Sequence, residues 1–152
     1  MLDTPGGHPE PSKLSSTFDL KNSTDDQAIY AKVAELDANQ CVRELFDSQA
    51  EEMMLEFNIP SEKLSAPMLY SIGRIKSGAG RIVAYFLIDT DFTKDQILES
   101  WSRGGAETDE SAGVQFLPFA ELKTAYQKPE ILSKLSDNGI LSIETFLASI
   151  PQ

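Results

Sequence analysis

The chain has few of the residues from which the commonest catalytic and structural sites are built: one cysteine, one histidine and one tryptophan in 152 residues. Because Cys41 is alone, no disulfide can form within the chain, which favours a reducing compartment, the cytoplasm or also the nucleus. Cys41 has no histidine in a paired pattern and is typical of a buried or half-buried helix residue. His8 stands in a loop rich in proline and glycine, where a loop role is favoured over that of a catalytic base.

Basic residues and long apolar runs are also scarce. The formal net charge is -11 and the isoelectric point about 4.4, whereas a protein that binds nucleic-acid phosphates needs a basic surface. The same charge disfavours docking on anionic membranes, and no apolar run approaches the roughly 20 residues that span a bilayer. We therefore expect neither nucleic acid nor membrane as a partner. An acidic enzyme with an anionic substrate would need a metal cation between the two.

What the chain does contain is enough apolar sequence for one folded domain. The apolar fraction of 41% is that of a globular protein, and turn signals separate segments of helical and strand periodicity. These segments predict an α+β fold with a small sheet and several helices. The predicted helices cover about 27–36, 39–57, 93–101, 119–126 and 142–150, and the predicted strands cover 68–75, 81–88 and 113–119. The strands 68–75 and 81–88 are expected to form a hairpin. The strand 81–88 is apolar on both faces, as expected for a strand in the middle of a covered sheet.

Two carboxylates on the long helix are the first candidate site. Glu52 and Glu56 are one turn apart, about 6 Å along the axis, so they could share a hard cation such as Mg²⁺. They lie at the margin of an apolar stripe predicted to face the core, while Glu51 points to solvent. Acidic pairs at this spacing are also common on solvated helix faces, and that alternative is open from the helix alone. The stripe consists of Val42, Leu45, Phe46, Gln49, Met53 and Phe57.

A Gly-Gly turn near the start, within Pro5–Pro11, combines with the acidic helix to resemble a Nudix box split by an insertion. The residues 51–59 occupy the helical half of the box with departures: Glu51 replaces an arginine, Leu55 a glutamate and Asn58 a glycine. The string Arg43-Glu44-Leu45 offers a rival register, but it falls in mid-helix. Asn is the best substitute for a left-handed glycine cap, and Pro60 blocks continuation. This helix end selects Glu52 and Glu56, and places Glu44 behind the ligands or in solvent.

Further segments narrow the resemblance to one branch. Residues 77–81 (Ser-Gly-Ala-Gly-Arg) and 104–113 are similar to the Nudix motif 22 proteins, and the resemblance runs from Pro5 to about Phe119. It implies one Nudix-like domain over 1–152, with a mixed sheet and flanking helices, and an inserted segment at about 12–40. Members of the branch carry a substantial region before the Gly-Gly turn. We therefore expect this chain to correspond to the C-terminal portion of the family's chain.

The resemblance also implies an activity. Branch members are implied to be Mg²⁺-dependent hydrolases of UDP-glucose and UDP-galactose that release UMP and a sugar 1-phosphate. Glu52 and Glu56 are then the metal ligands. The alternatives are a degraded Nudix-like module that binds nucleotide sugars without turnover, and an acidic interaction domain.

The remaining candidate residues have less specific signals. Glu107 or Glu110 could be a general base or an additional ligand, or belong to a solvated acidic loop. Gly6 and Gly7 are candidate substrate-binding residues, although a Gly-Gly pair by itself indicates only a turn. Arg81 and Arg74 are candidate phosphate contacts, and Arg74 is equally suited to the polar face of the hairpin. Tyr85 and Phe86 could stack on uracil, but a place in the core is favoured for both.

Overall fold

The computed structural model describes residues 11–14, 31, 34–75, 81–104 and 113–150. This part of the chain combines helices with one antiparallel strand pair, so the α+β prediction is confirmed. A Nudix-type mixed sheet stays a prediction. No helix in these residues is long and apolar enough to cross a membrane. The elements are α1 (Pro11–Leu14), α2 (Ala38–Phe57), β1 (Met68–Arg74), β2 (Ile82–Leu87), α3 (Lys94–Ser102), α4 (Leu122–Ala125), α5 (Pro129–Leu132) and α6 (Asp137–Ser149), with 3-10 turns at Ser61–Lys63 and Phe119–Glu121.

The long helix α2 begins and ends on local signals. The side chain of Asp37 accepts a hydrogen bond from the Gln40 backbone N–H at 2.9 Å, which caps the first turn. At the other end Asn58 adopts the left-handed conformation, with φ 54° and ψ 34°, and its N–H donates to the Met54 carbonyl at 3.0 Å. The predicted helix and its Asn58 terminus are therefore confirmed.

The predicted hairpin is confirmed as well, although its turn, 76–80, lies outside the described residues. Strands β1 and β2 pair antiparallel, from Met68 opposite Leu87 to Arg74 opposite Ile82. The register shifts between Leu69 and Ser71, so Tyr70 is the additional residue of a bulge. A bulge bends the strand locally, and here the bulged side chain reaches helix α6.

One face of the hairpin packs closely on α6. A methyl group added at Gly73 would lie 3.0 Å from Leu141 Cδ2, so a larger residue there would require the Leu141 side chain to shift by a few tenths of an ångström. The Tyr85 hydroxyl donates to Asn138 Oδ1 at 3.1 Å, and the Tyr70 hydroxyl lies 3.0 Å from Ser142 Oγ. Burial raises the pKa of the Tyr70 phenol, an effect that its hydrogen bonds to side chains partly oppose.

The other face of the hairpin packs on α2 at one end only. Phe86 meets Phe46 edge to face, with ring centroids 5.0 Å apart and planes at 79°. Towards the turn, Ile72 and Ile82 are 65% and 72% exposed. The prediction that β2 is covered on both faces is therefore wrong at this end of the described hairpin, because α2 reaches Phe86 and leaves Ile82 open.

The segments after the hairpin depart more from prediction. The capped helix at Thr93 is confirmed as α3, with a capping box between Thr93 and Gln96. The strand predicted over 113–119 is wrong. Residues 113–116 alternate between exposed and half-buried, as the prediction requires. Within the described chain, however, they pair with no strand, and a β-strand forms only where a neighbouring strand accepts and donates its backbone hydrogen bonds.

Near the C-terminal end the helices differ in length from those predicted. A 3-10 turn leading into α4 replaces the single helix over 119–126. Helix α6 starts five residues earlier than predicted, because the Ser136 side chain accepts from the Gly139 N–H at 2.9 Å and caps it. Helix α5, with Pro129 in its first turn, was not predicted. The helix predicted over 27–36 falls mostly outside the described residues.

Candidate metal site

The carboxylates of Glu52 and Glu56 lie on the protected side of α2. Three side chains on the opposite side, Arg43, Asp47 and Met54, are exposed, whereas Glu52 and Glu56 are half-buried. At about 100° per residue, the two glutamates point roughly 180° away from the centre of that exposed side. The acidic pair is thus separate from the most exposed face of the helix, and its role as a metal site stays a prediction.

Two other elements cover the flanks of the same helix. Phe46 anchors one flank to the hairpin through Phe86. On the other flank the Lys13 ammonium of α1 forms an ion pair with Glu51, whose exposure to solvent was predicted. Glu52 and Glu56 lie between these two flanks on the helical wheel. The predicted apolar stripe is half-buried along most of its length, but Val42 is 55% exposed and was wrongly assigned to the core.

A second buried polar line on α2 was missed by the sequence argument. Glu44 is 9% exposed and Ser48 is 4% exposed, so of the two alternatives for Glu44 the one in solvent is wrong and the one behind the ligands stays a prediction. The sequence feature that could have indicated their burial is the four-residue spacing by which Glu44 and Ser48 line up with Glu52 and Glu56. Glu44 lies about 12 Å from Glu52 and about 18 Å from Glu56 along the axis. It is too far to share one cation with the pair.

The donor set fits Mg²⁺. Mg²⁺ is usually held by one or two carboxylates, with waters and substrate phosphates completing its coordination, and Glu52 and Glu56 supply two carboxylates on one side of a helix. In the described residues no group of three or more acidic, histidine or cysteine side chains is assembled for a metal. The position also suits a cation, because the C-terminal end of a helix carries partial negative charge and the last turn of α2 has no basic residue.

The two candidate phosphate contacts both lie at the turn end of the hairpin. Arg74 is paired with Ile82, and Ile82 is four residues before Phe86, so Arg74 lies on the face of the hairpin on which α2 packs. Arg81 precedes β2, and its carbonyl accepts the Ile75 N–H at 2.9 Å. Both side chains are exposed. Arg74 therefore lies on the face that meets α2, but at the end of the hairpin that α2 leaves open, and its role as a phosphate contact stays a prediction.

The structure also bears on the remaining predicted site residues. Tyr85 is 4% exposed and bonded to Asn138, and Phe86 is packed on Phe46. Both fit the core interpretation better than stacking on uracil. Gly6, Gly7, Glu107 and Glu110 lie outside the described residues, and their roles stay predictions.

A cavity of about 360 Å³ lies where the end of α2 meets α3. Its polar lining is satisfied within the protein. Glu99 is paired with Arg103, Gln96 accepts the Thr93 N–H, and Asn58 and Ser100 bond to each other. The cavity therefore marks a junction between two helices and offers no polar side chain without a partner to a ligand.

The acidic pair on α2 is the described part of the predicted box, and comparison with known sequences finds relatives that are named as nucleotide-sugar pyrophosphatases. Over 117 residues the chain is 35% identical to the uridine diphosphate glucose pyrophosphatase NUDT22 of Homo sapiens. It is 33% identical over 117 residues to the proteins of the same name in Mus musculus and Bos taurus. No family model matches the chain. The resemblance to the Nudix motif 22 branch is thus confirmed.

The extent of these matches is uneven. They cover 77% of this chain but only 35%, 34% and 37% of the human, mouse and bovine relatives. The chain thus spans about a third of the length of the curated relatives that it matches.

Proposed function

We propose that the chain hydrolyses UDP-sugars, UDP-glucose and UDP-galactose, to UMP and a sugar 1-phosphate with Mg²⁺ as cofactor. The observation that carries the proposal is the placement of Glu52 and Glu56 on the protected side of α2, away from its solvated face. The names of the relatives supply the nucleotide sugar, and the net charge of -11 requires a cation wherever this acidic surface meets a diphosphate.

Each residue in this mechanism has one task. Glu52 and Glu56 hold the cation, and Arg74 directs its guanidinium to the diphosphate, for which its planar donors are suited. When bound, Mg²⁺ neutralises phosphate oxygens and stabilises charge as the bond to the leaving group breaks. Water attacks a phosphorus of the diphosphate, and Glu107 or Glu110 is the proposed general base.

A nucleotide-sugar binding module is the second candidate. Two observations favour it: Leu55 stands where the resemblance expects a glutamate, and the described residues bring together no group of three or more His, Cys, Asp or Glu side chains that could hold a metal. In this case Glu52 and Glu56 would hold the cation and the diphosphate without turnover.

The test of the proposed function is nucleotide release by the purified 152-residue chain. With UDP-glucose and Mg²⁺ we expect equal amounts of UMP and glucose 1-phosphate by anion-exchange chromatography, and no product with EDTA. Binding of UDP-glucose in calorimetry without any UMP would replace the enzyme by the binding module. Absence of both product and binding would reject the two candidates together.

A further inference from the structure

The end of α2 is fastened to α3 by a pair of residues that contact each other in both directions. Ser100 Oγ donates to the Asn58 carbonyl at 2.6 Å. In return the Asn58 side-chain amide donates to the Ser100 carbonyl at 3.4 Å, a longer and weaker bond. Ser100 is 7% exposed and Ile59, the next residue after Asn58, is fully buried. We refer to Asn58 and Ser100 as the clamp.

The last turn of α2 needs such an anchor. Helix ends leave carbonyls without intrahelical partners and tend to fray. Glu56 adds a carboxylate where the helix dipole is negative, and Glu52 places a like charge one turn before it; both arrangements cost helix stability. The helix supplies no basic residue in this turn. The contacts that Asn58 makes just beyond this turn hold its end against α3.

Fraying at this end would act on Glu56 more than on Glu52. Glu56 is the last residue but one of the helix, whereas Glu52 lies a full turn further in. The spacing of about 6 Å between the two positions exists only while the last turn is helical. Contacts that keep that turn formed thus also keep the two carboxylates in register with each other.

We propose that the clamp positions Glu56 for cation binding, with Ser100 and Asn58 as positioning residues that do not touch the metal. The inference rests on the proposed function, because it assigns a role relative to the same carboxylates. Asn58 can contribute a side-chain hydrogen bond at this position, which the glycine of the Nudix box cannot. Both residues adopt the left-handed conformation readily, but only asparagine has a side chain that can bond to α3.

The experiment measures Mn²⁺ binding without substrate, by water-proton relaxation, in the wild type and in Ser100→Ala. We expect Ser100→Ala to bind Mn²⁺ about tenfold more weakly. Losing a hydrogen bond that orients a metal site typically weakens metal binding about 10- to 100-fold, and this expectation is at the lower end of that range. Asn58→Gly, which keeps the backbone conformation and removes the longer amide bond, should weaken binding less. It also tests the clamp if Ser100→Ala does not fold.

Ser102→Ala is the matched control, since it removes a hydroxyl from α3 that bonds only within that helix, to the Glu99 carbonyl at 2.8 Å. It should bind Mn²⁺ as the wild type does at a temperature well below unfolding. A merely structural clamp would lower the unfolding midpoint of Ser100→Ala and leave its Mn²⁺ affinity unchanged, which would overturn the inference but not the proposed function. Equal weakening in Ser102→Ala would also overturn it. A wild type that binds no Mn²⁺ would reject the proposed function and the clamp together.

Discussion

Replacing Glu56 by glutamine is expected to lower the rate of UMP release from UDP-glucose by at least about a hundredfold. The substitution keeps the size of the side chain and removes the charge that we propose to hold the cation. A metal ion contributes several kcal/mol to stabilising the charge of a phosphoryl transition state, and each 1.4 kcal/mol is about a factor of ten in rate. Initial rates at saturating UDP-glucose, measured across a range of Mg²⁺ concentrations, check the expectation.

Glu51→Gln is the matched control, because it removes the same charge from the same helix. Glu51 is exposed and paired with Lys13, on a flank of α2 away from the protected pair. Its substitution should change the rate by less than a factor of about three, as expected for a surface ion pair worth about 1 kcal/mol or less. Equal losses in Glu51→Gln and Glu56→Gln would mean that net charge matters and the position of Glu56 does not.

Replacing Phe46 by alanine is expected to destabilise the fold by about 2 to 3 kcal/mol. Fully buried phenylalanines cost about 3 to 5 kcal/mol, and Phe46 is half-buried. Its edge-to-face contact with Phe86 adds about 0.5 to 1.5 kcal/mol beyond the buried area. Because this contact joins the carboxylate helix to the hairpin, its loss separates the two walls of the proposed site. Urea unfolding followed by the fluorescence of Trp101 measures the change.

Val42→Ala provides the comparison on the same helix, one turn before Phe46. With Val42 at 55% exposure, we expect a cost of about 0.5 kcal/mol or less, as for surface substitutions in general. A Phe46→Ala variant as stable as Val42→Ala would contradict the packing of α2 on the hairpin.

The sequence predicted best those features that depend on neighbouring residues. The end of α2 follows from Asn58 and Pro60, the start of α3 from Thr93 and Gln96, and the hairpin from two apolar runs around a glycine-rich turn. Each of these signals acts within a few residues of chain. For the same reason the helix end on which the choice of Glu52 and Glu56 over Arg43-Glu44 rests could be predicted without the structure, while their role as metal ligands stays a prediction.

Burial could not be predicted in the same way, because it depends on what lies across from each residue. Val42 and Ile82 belong to apolar runs, yet no described element covers them, while Glu44 belongs to an acidic line and is buried. The segment over 113–119 has the alternation of a strand without a strand to pair with in the described chain. The periodicity of apolar residues indicates which side of a helix or strand is suited to burial. Whether that side is in fact buried depends on how α1, α2 and the hairpin pack on one another.

The most direct test of the account is a calorimetric titration of Mg²⁺ into the wild type, the double variant Glu52→Gln/Glu56→Gln, and Glu51→Gln. The account predicts a binding isotherm for the wild type and for Glu51→Gln, and none for the double variant over the same concentrations. Binding of Mg²⁺ by the double variant with wild-type affinity would contradict it, because the protected carboxylates of α2 would then not be the metal site.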